Sequence, residues 1–323
     1  MERILKSAAR RLFHCAGGLH LVRVKNRNAA RILMYHRFSD PTSLKAQCTY
    51  LKHHYELLSM LELSECLRSG RPFPPNAVVI TIDDGYRDFL KIAFPIFSTY
   101  SIRVTVFLVT DFLDRKLWLW PDVVKYAFGH TPYTAAEVDI PNGRRLSLPL
   151  DSSTLRLQAA RVTIEEAKTL TNQDRLFLLE CLMERLQVKL PREIPEHCQP
   201  LRWDEVRSLA QSGVEFGAHT KTHSILSRLS DNQELSNEIV GSKKRIEEQL
   251  NAPVLHFCYP NGRAADISDS AVATVRAADF RTAVTTEHGL NLKSSNRFLL
   301  RRIGVEPNLP DLYFRQCVAG FRV

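Results

Sequence analysis

Two short segments of this chain carry residue types that can do chemistry together. Thr81-Ile82-Asp83-Asp84-Gly85 closes an apolar run with two adjacent carboxylates and a glycine. Two close carboxylates repel, so both ionise readily only beside a cation or a donor, and a metal held on one leaves the other free as a base. His219-Thr220-Lys221-Thr222-His223 places two histidines four residues apart. On a helical turn that spacing puts both imidazoles on one face, where they can share a metal. Each segment also has a bland reading. Either aspartate suits a helix N-cap, and a lone pair of histidines is commonly a packed or surface pair. The two segments together are harder to dismiss, because both sit at the end of a strand-like run. One carboxylate and two imidazoles make the three ligands of a catalytic zinc, whose fourth position takes a water and lowers its pKa to about 7. The second carboxylate can then take the water proton.

The elements that must position these residues follow from periodicity. Short β-branched runs over 31–36, 77–83, 103–110, 214–219, 254–259, 281–286 and 299–305 read as strands. Amphipathic patterns over 86–100, 203–211, 231–250 and 264–278 read as helices between them, the third starting at an Asp cap. Strand alternating with helix is the signature of a mainly parallel sheet with crossover helices. Seven such strands predict an α/β barrel, whose chemistry belongs at the C-terminal ends of the strands. Residues from about 111 to 200 break the rhythm. They show no clear strand and a leucine-rich helical pattern near 174–188, and are expected to form a mainly helical insertion carried on the barrel.

Composition fits a soluble globular chain: 323 residues, 44% hydrophobic and 24% charged. The net charge of +9 is spread along the chain with no long basic block and no nucleic-acid motif, so no nucleic-acid partner is expected. Seven cysteines, odd in number and without CxxC pairs, read as reduced packed thiols rather than a disulfide framework. Residues 1–30 form a basic amphipathic N-terminal segment. Lys6, Arg10 and Arg11 interrupt its apolar residues, so neither a cleavable signal peptide nor a transmembrane helix is expected. The expectation is a cytoplasmic protein whose N-terminus either touches an anionic membrane surface or packs on the domain.

The two motifs, in this order, resemble those of the polysaccharide deacetylase (NodB-homology) family of carbohydrate esterases, namely its Thr-Phe-Asp-Asp-Gly and His-Ser/Thr-x-x-His segments. The resemblance spans roughly residues 30–308. It implies a deformed, seven-stranded (β/α) barrel over 31–323, a divalent metal with zinc favoured, and removal of N-acetyl groups from an amino-sugar glycan. It also implies Asp83 as base and Asp84, His219 and His223 as metal ligands. Phe257-Cys258-Tyr259-Pro260-Asn261-Gly262 resembles the family's third motif, with Cys258 where an arginine is common and Asn261 where an aromatic residue is common. A backbone N–H survives a side-chain change, so Asn261 still suits the oxyanion site. Arg301 and Arg302, on the last strand, are the candidates to replace the arginine that orients the base. The late strand has no histidine, whereas Leu33-Met34-Tyr35-His36 resembles a rearranged subgroup whose general-acid motif lies near the N-terminus, which makes His36 the candidate acid. His256 reads as structural and His288 as a loop residue. The rival functions are a metal-dependent amidase acting on a non-polymer or lipid-linked sugar, and an inactive glycan-binding relic.

Overall fold

A computed structural model describes residues 17–229 and 231–321. The basic amphipathic segment lies outside the described residues as far as residue 16. From there the helix Gly18–Lys25 leads to Asn26, whose side chain donates to the Ala319 carbonyl at 3.0 Å, and so packs beside the C-terminal helix Asp311–Ala319. Among the described residues no helix is long and apolar enough to cross a membrane. Six cysteines are described, and all are free thiols.

Among the described residues ten strands occur: β1 (Arg31–Tyr35), β2 (Glu56–Leu58), β3 (Ala77–Ile82), β4 (Val104–Leu108), β5 (Ala135–Asp139), β6 (Arg145–Pro149), β7 (Glu215–Ala218), β8 (His256–Cys258), β9 (Thr282–His288) and β10 (Leu300–Gly304). Seven of them close a parallel ring in the order β1-β10-β9-β8-β7-β4-β3, which returns to β1. The expected seven-stranded barrel is therefore present. The short strand β2 adds to the first half of β3, while β4 pairs with its second half.

Period-two alternation sorts the barrel residues into two cores. Ile32, Val79, Phe107, Cys258, Val284 and Leu300, from six strands, meet in the interior. Val78, Ile80, Ile82, Val106 and Ala283 face the surrounding helices and join the larger core. Helix Trp203–Gln211 has the expected bounds, and helix Asn232–Leu250 begins at its Asp231 cap. The helix expected over 86–100 is broken: a π-helical turn spans Phe89–Ala93, and the α-helix runs only from Phe94 to Thr99. Pro95 has no N–H to give the carbonyl four residues back, so the regular ladder cannot pass through it.

The insertion has a core of its own, built from Trp120, Val124, Phe128, Ile164, Leu178 and Leu182 among others. Its helices Trp120–His130, Ser153–Ala167 and Asn172–Arg185 make it mainly helical as expected, but the expected lack of strands is wrong. β5 and β6 form an antiparallel hairpin there. The alternation of Arg145, Leu146, Ser147 and Leu148 behind an Asn142-Gly143 turn is the sequence signal for it.

Candidate active site

Strand register gathers the chemistry at one end of the barrel. β1 and β3 pair with Tyr35 opposite Ile82, so the next residues, His36 and Asp83, emerge side by side. β4 pairs with β7 so that Leu108 lies opposite Ala218, and His219 follows at the same level. On β3, Val79, Thr81 and Asp83 form the inward row. Asp84 would point outward on a continued strand. It adopts φ 76° instead, followed by Gly85 at φ 83°, and this left-handed pair swings its carboxylate back into the cleft. A Cβ at Gly85 would lie 2.9 Å from a Leu108 methyl, so glycine also serves close packing there.

Asp83 is buried and held by Arg302. The guanidinium Nη1 and Nη2 donate to the two carboxylate oxygens at 2.7 Å each, while Nε donates to the Thr285 carbonyl at 2.7 Å and Nη1 to the Thr81 hydroxyl at 3.1 Å. Burial by itself would push the Asp83 carboxyl up. The adjacent Arg302 charge and its hydrogen bonds override this and hold it below the usual carboxylate range. Arg302 Nη2 also lies 3.1 Å from Cys258 Sγ, and burial pushes that thiol up, so the thiol stays protonated. Of the two candidate arginines, Arg302 reaches the aspartate and Arg301 does not. Their strand alternates, so Arg302 points into the barrel and Arg301 outward, over Gly289.

Asp84, His219 and His223 converge. Both imidazole Nε2 atoms face Asp84 Oδ1, at 3.5 and 3.4 Å. That oxygen is buried and accepts no hydrogen bond. His219 Nδ1 lies 2.7 Å from the Cys258 carbonyl, which can only accept, so Nδ1 carries the proton and Nε2 presents its lone pair. An orphaned buried carboxylate oxygen facing two imidazoles fits a divalent transition metal. Asp83, His219 and Cys258 also converge, but Arg302 occupies both oxygens of Asp83 and the thiol is protonated.

The loop that carries the histidines is strained, with Thr220 at φ 66° and His223 at φ 60°. Glu238, from helix Asn232–Leu250, clamps it. Its buried carboxylate accepts from the Lys221 N–H at 2.9 Å, the Thr222 N–H at 3.0 Å and the Thr222 hydroxyl at 2.7 Å. Nothing local in the sequence marks Glu238 for this role, because its partners lie a loop and most of two helical turns away.

His36 is half-exposed, with Nε2 3.7 Å from Asp83 Oδ2. Asn261, also left-handed at φ 58°, gives its side-chain amide to Asp266 and accepts the Thr286 hydroxyl on its carbonyl at 2.5 Å. His256 is structural: its ring meets the Thr282 hydroxyl at 2.7 Å, and burial, with Arg281 nearby, pushes its pKa down to about 3. His288 is the last residue of β9, opposite Arg302, and not part of a loop. His36, Asp83, Asp84, His219, His223 and Asn261 line one cleft of about 550 Å³. Its other wall comes from the insertion, through Trp120, Pro121, Lys125, Ile164 and Lys168, and of these Lys125, Ile164 and Lys168 were not singled out in the sequence.

The barrel carries one cleft in which a paired carboxylate lies beside a carboxylate and two imidazoles. The profile of the polysaccharide deacetylase family matches residues 169–283 of the chain. That stretch contains the histidine pair and Asn261, while Asp83, Asp84, His36 and Arg302 lie outside it. YxkH of Bacillus subtilis (strain 168), which carries the polysaccharide deacetylase name, is 20% identical over 88% of this chain and 74% of its own length. The poly-beta-1,6-N-acetyl-D-glucosamine N-deacetylase of Escherichia coli (strain K12) is 37% identical over 61 residues, 19% of this chain and 9% of that enzyme. Among solved structures, the Streptococcus pyogenes deacetylase PplD aligns with a TM-score of 0.57 at 18% identity, over 88% of this chain and 95% of that one. At that identity the likeness concerns the fold.

Proposed function

We propose that the chain removes N-acetyl groups from an amino-sugar glycan, with a divalent metal, zinc favoured, held by Asp84, His219 and His223. The observation that carries this is the Arg302–Asp83 pair at 2.7 Å set beside that ligand trio in one cleft. A metal held there supplies Lewis-acid polarisation of water and of the amide carbonyl. Asp83, kept ionised and oriented by Arg302, takes the proton of the attacking water. The Asn261 backbone N–H helps hold the oxyanion. His36, half in solvent beside Asp83, gives a proton to the departing amine. The amide C–N bond breaks, and acetate and a free amino sugar leave. The barrel over 31–323 carries this chemistry, and the insertion shapes the entrance.

The test is acetate release from a panel of N-acetylated oligosaccharides, with and without a chelator. Release that stops with chelator and returns with added zinc is the expected result. Release unaffected by complete metal removal would overturn the metal-dependent reading, and no release from any sugar amide would overturn the substrate class.

A further inference from the structure

The cleft is lined by four cations, Arg37, Lys125, Lys168 and Arg263, and its only lining carboxylates among the described residues are Asp83 and Asp84. Both of those are committed, one to Arg302 and the other to the ligand trio. Each rim cation is held from behind by a carboxylate that does not line the cleft. Asp88 holds Arg37 at 2.6 Å, and Asp122 holds Lys125 at 3.1 Å while also accepting the Tyr86 hydroxyl at 2.5 Å. Glu165 is shared, at 2.6 Å from Lys168 and 3.3 Å from Arg263. Arg37 is further fixed over the Tyr86 ring at 4.0 Å. The carboxylates thus fix the positions of the cations that line the cleft. The cations come from both bodies that bound the cleft, Arg37 and Arg263 from loops after β1 and β8, and Lys125 and Lys168 from the insertion.

We infer that the substrate carries a negative charge next to the reacting N-acetyl sugar, as a carboxylate or phosphate group on the glycan. This rests on the deacetylase reading of the same cleft. A neutral glycan offers hydroxyls and amides, which hydrogen-bond to neutral side chains as well as to cations, and gains little from donors that are cationic rather than neutral. An anionic group gains charge-assisted hydrogen bonds that are stronger than neutral ones. The net charge of +9 also draws anionic ligands toward the molecule.

The test measures kcat/KM for acetate release by the metal-loaded protein at low and high ionic strength. The substrates are a neutral N-acetylglucosamine oligomer, an oligomer with an adjacent uronic acid, and one with a phosphate ester on the neighbouring sugar. One or both charged substrates are expected to exceed the neutral one by about tenfold at low salt, with the margin shrinking as salt rises. Whichever is preferred identifies the anionic group. Lys125→Gln combined with Lys168→Gln is expected to lower that margin through KM. Equal kcat/KM on neutral and charged substrates, or a margin insensitive to salt, would overturn the inference. If no substrate releases acetate, the deacetylase reading fails. Calorimetric binding of the same three oligomers then still decides the charge preference: tighter binding of a charged oligomer supports it, and equal binding refutes it.

Discussion

Arg302 holds Asp83 by both carboxylate oxygens, at 2.7 Å each, inside the barrel, where both side chains are shielded from solvent. A buried pair of this kind is costly to break from one side, because the remaining charge stays buried without its partner. Arg302→Met is therefore expected to cost about 3–5 kcal/mol of stability, measured by denaturant unfolding. Arg302→Lys keeps the charge but loses the two-point grip, and should fold better than the Met variant while turning over far more slowly than the native chain. A Met variant as stable and active as the native protein would show that the pair orients nothing.

The ligand trio predicts a joint loss. Asp84→Ala, His219→Ala and His223→Ala should each lose bound metal and acetate release together, with metal content read by elemental analysis. Asp83→Asn should keep the metal and lose turnover. Stoichiometric metal in all three alanine variants, or unchanged turnover in Asp83→Asn, would contradict the assignment.

His36 protonates the leaving amine in the proposed mechanism, and it is half-exposed, so its removal should leave the fold intact. His36→Ala is expected to reduce kcat by about 10²–10⁴-fold with metal content unchanged. An unchanged kcat in that variant would assign the proton to another group.

Glu238 grips the histidine loop through three hydrogen bonds without being a ligand. Glu238→Gln keeps the size but loses the negative charge and, at whichever site its NH₂ faces, an acceptor. Metal affinity should fall by roughly 10–100-fold, as for other groups that orient ligands, in a competition titration against a chromogenic chelator. Native affinity in this variant would mean that the strained loop holds itself.

Acid stability follows from Asp83. Arg302 holds its folded pKa below the ordinary value, so its contribution is fully present above the unfolded pKa of about 3.9 and is lost as pH falls through the folded value. Denaturant unfolding across acidic pH should show the native chain losing stability below about pH 4 more steeply than Asp83→Asn. Identical slopes would place the acid-labile charge elsewhere.

Much of this was legible in the sequence because local chemistry marks it. The run Ala77–Ile82 is apolar enough to be a strand buried on both faces, and the aspartates at its end could only sit at a barrel mouth. The hairpin β5–β6 was legible too, through Asn142-Gly143, but its short, half-exposed strands alternate weakly against a helical background. The replacement of the third-motif arginine was only half legible. Cys258 and Arg302 are 44 residues apart and touch because β8 and β10 flank β9 in the ring.

By itself the sequence determined the seven barrel strands, the two motifs and the end of the barrel where they lie, because each depends on periodicity or on neighbouring residues. Tertiary structure decided the pairings: Arg302 rather than Arg301 on Asp83, Glu238 on the histidine loop, and the insertion's lysines beside the ligands. The reason is physical. Register and ring closure set which distant side chains meet, and those are properties of the whole sheet that no single segment of the chain encodes.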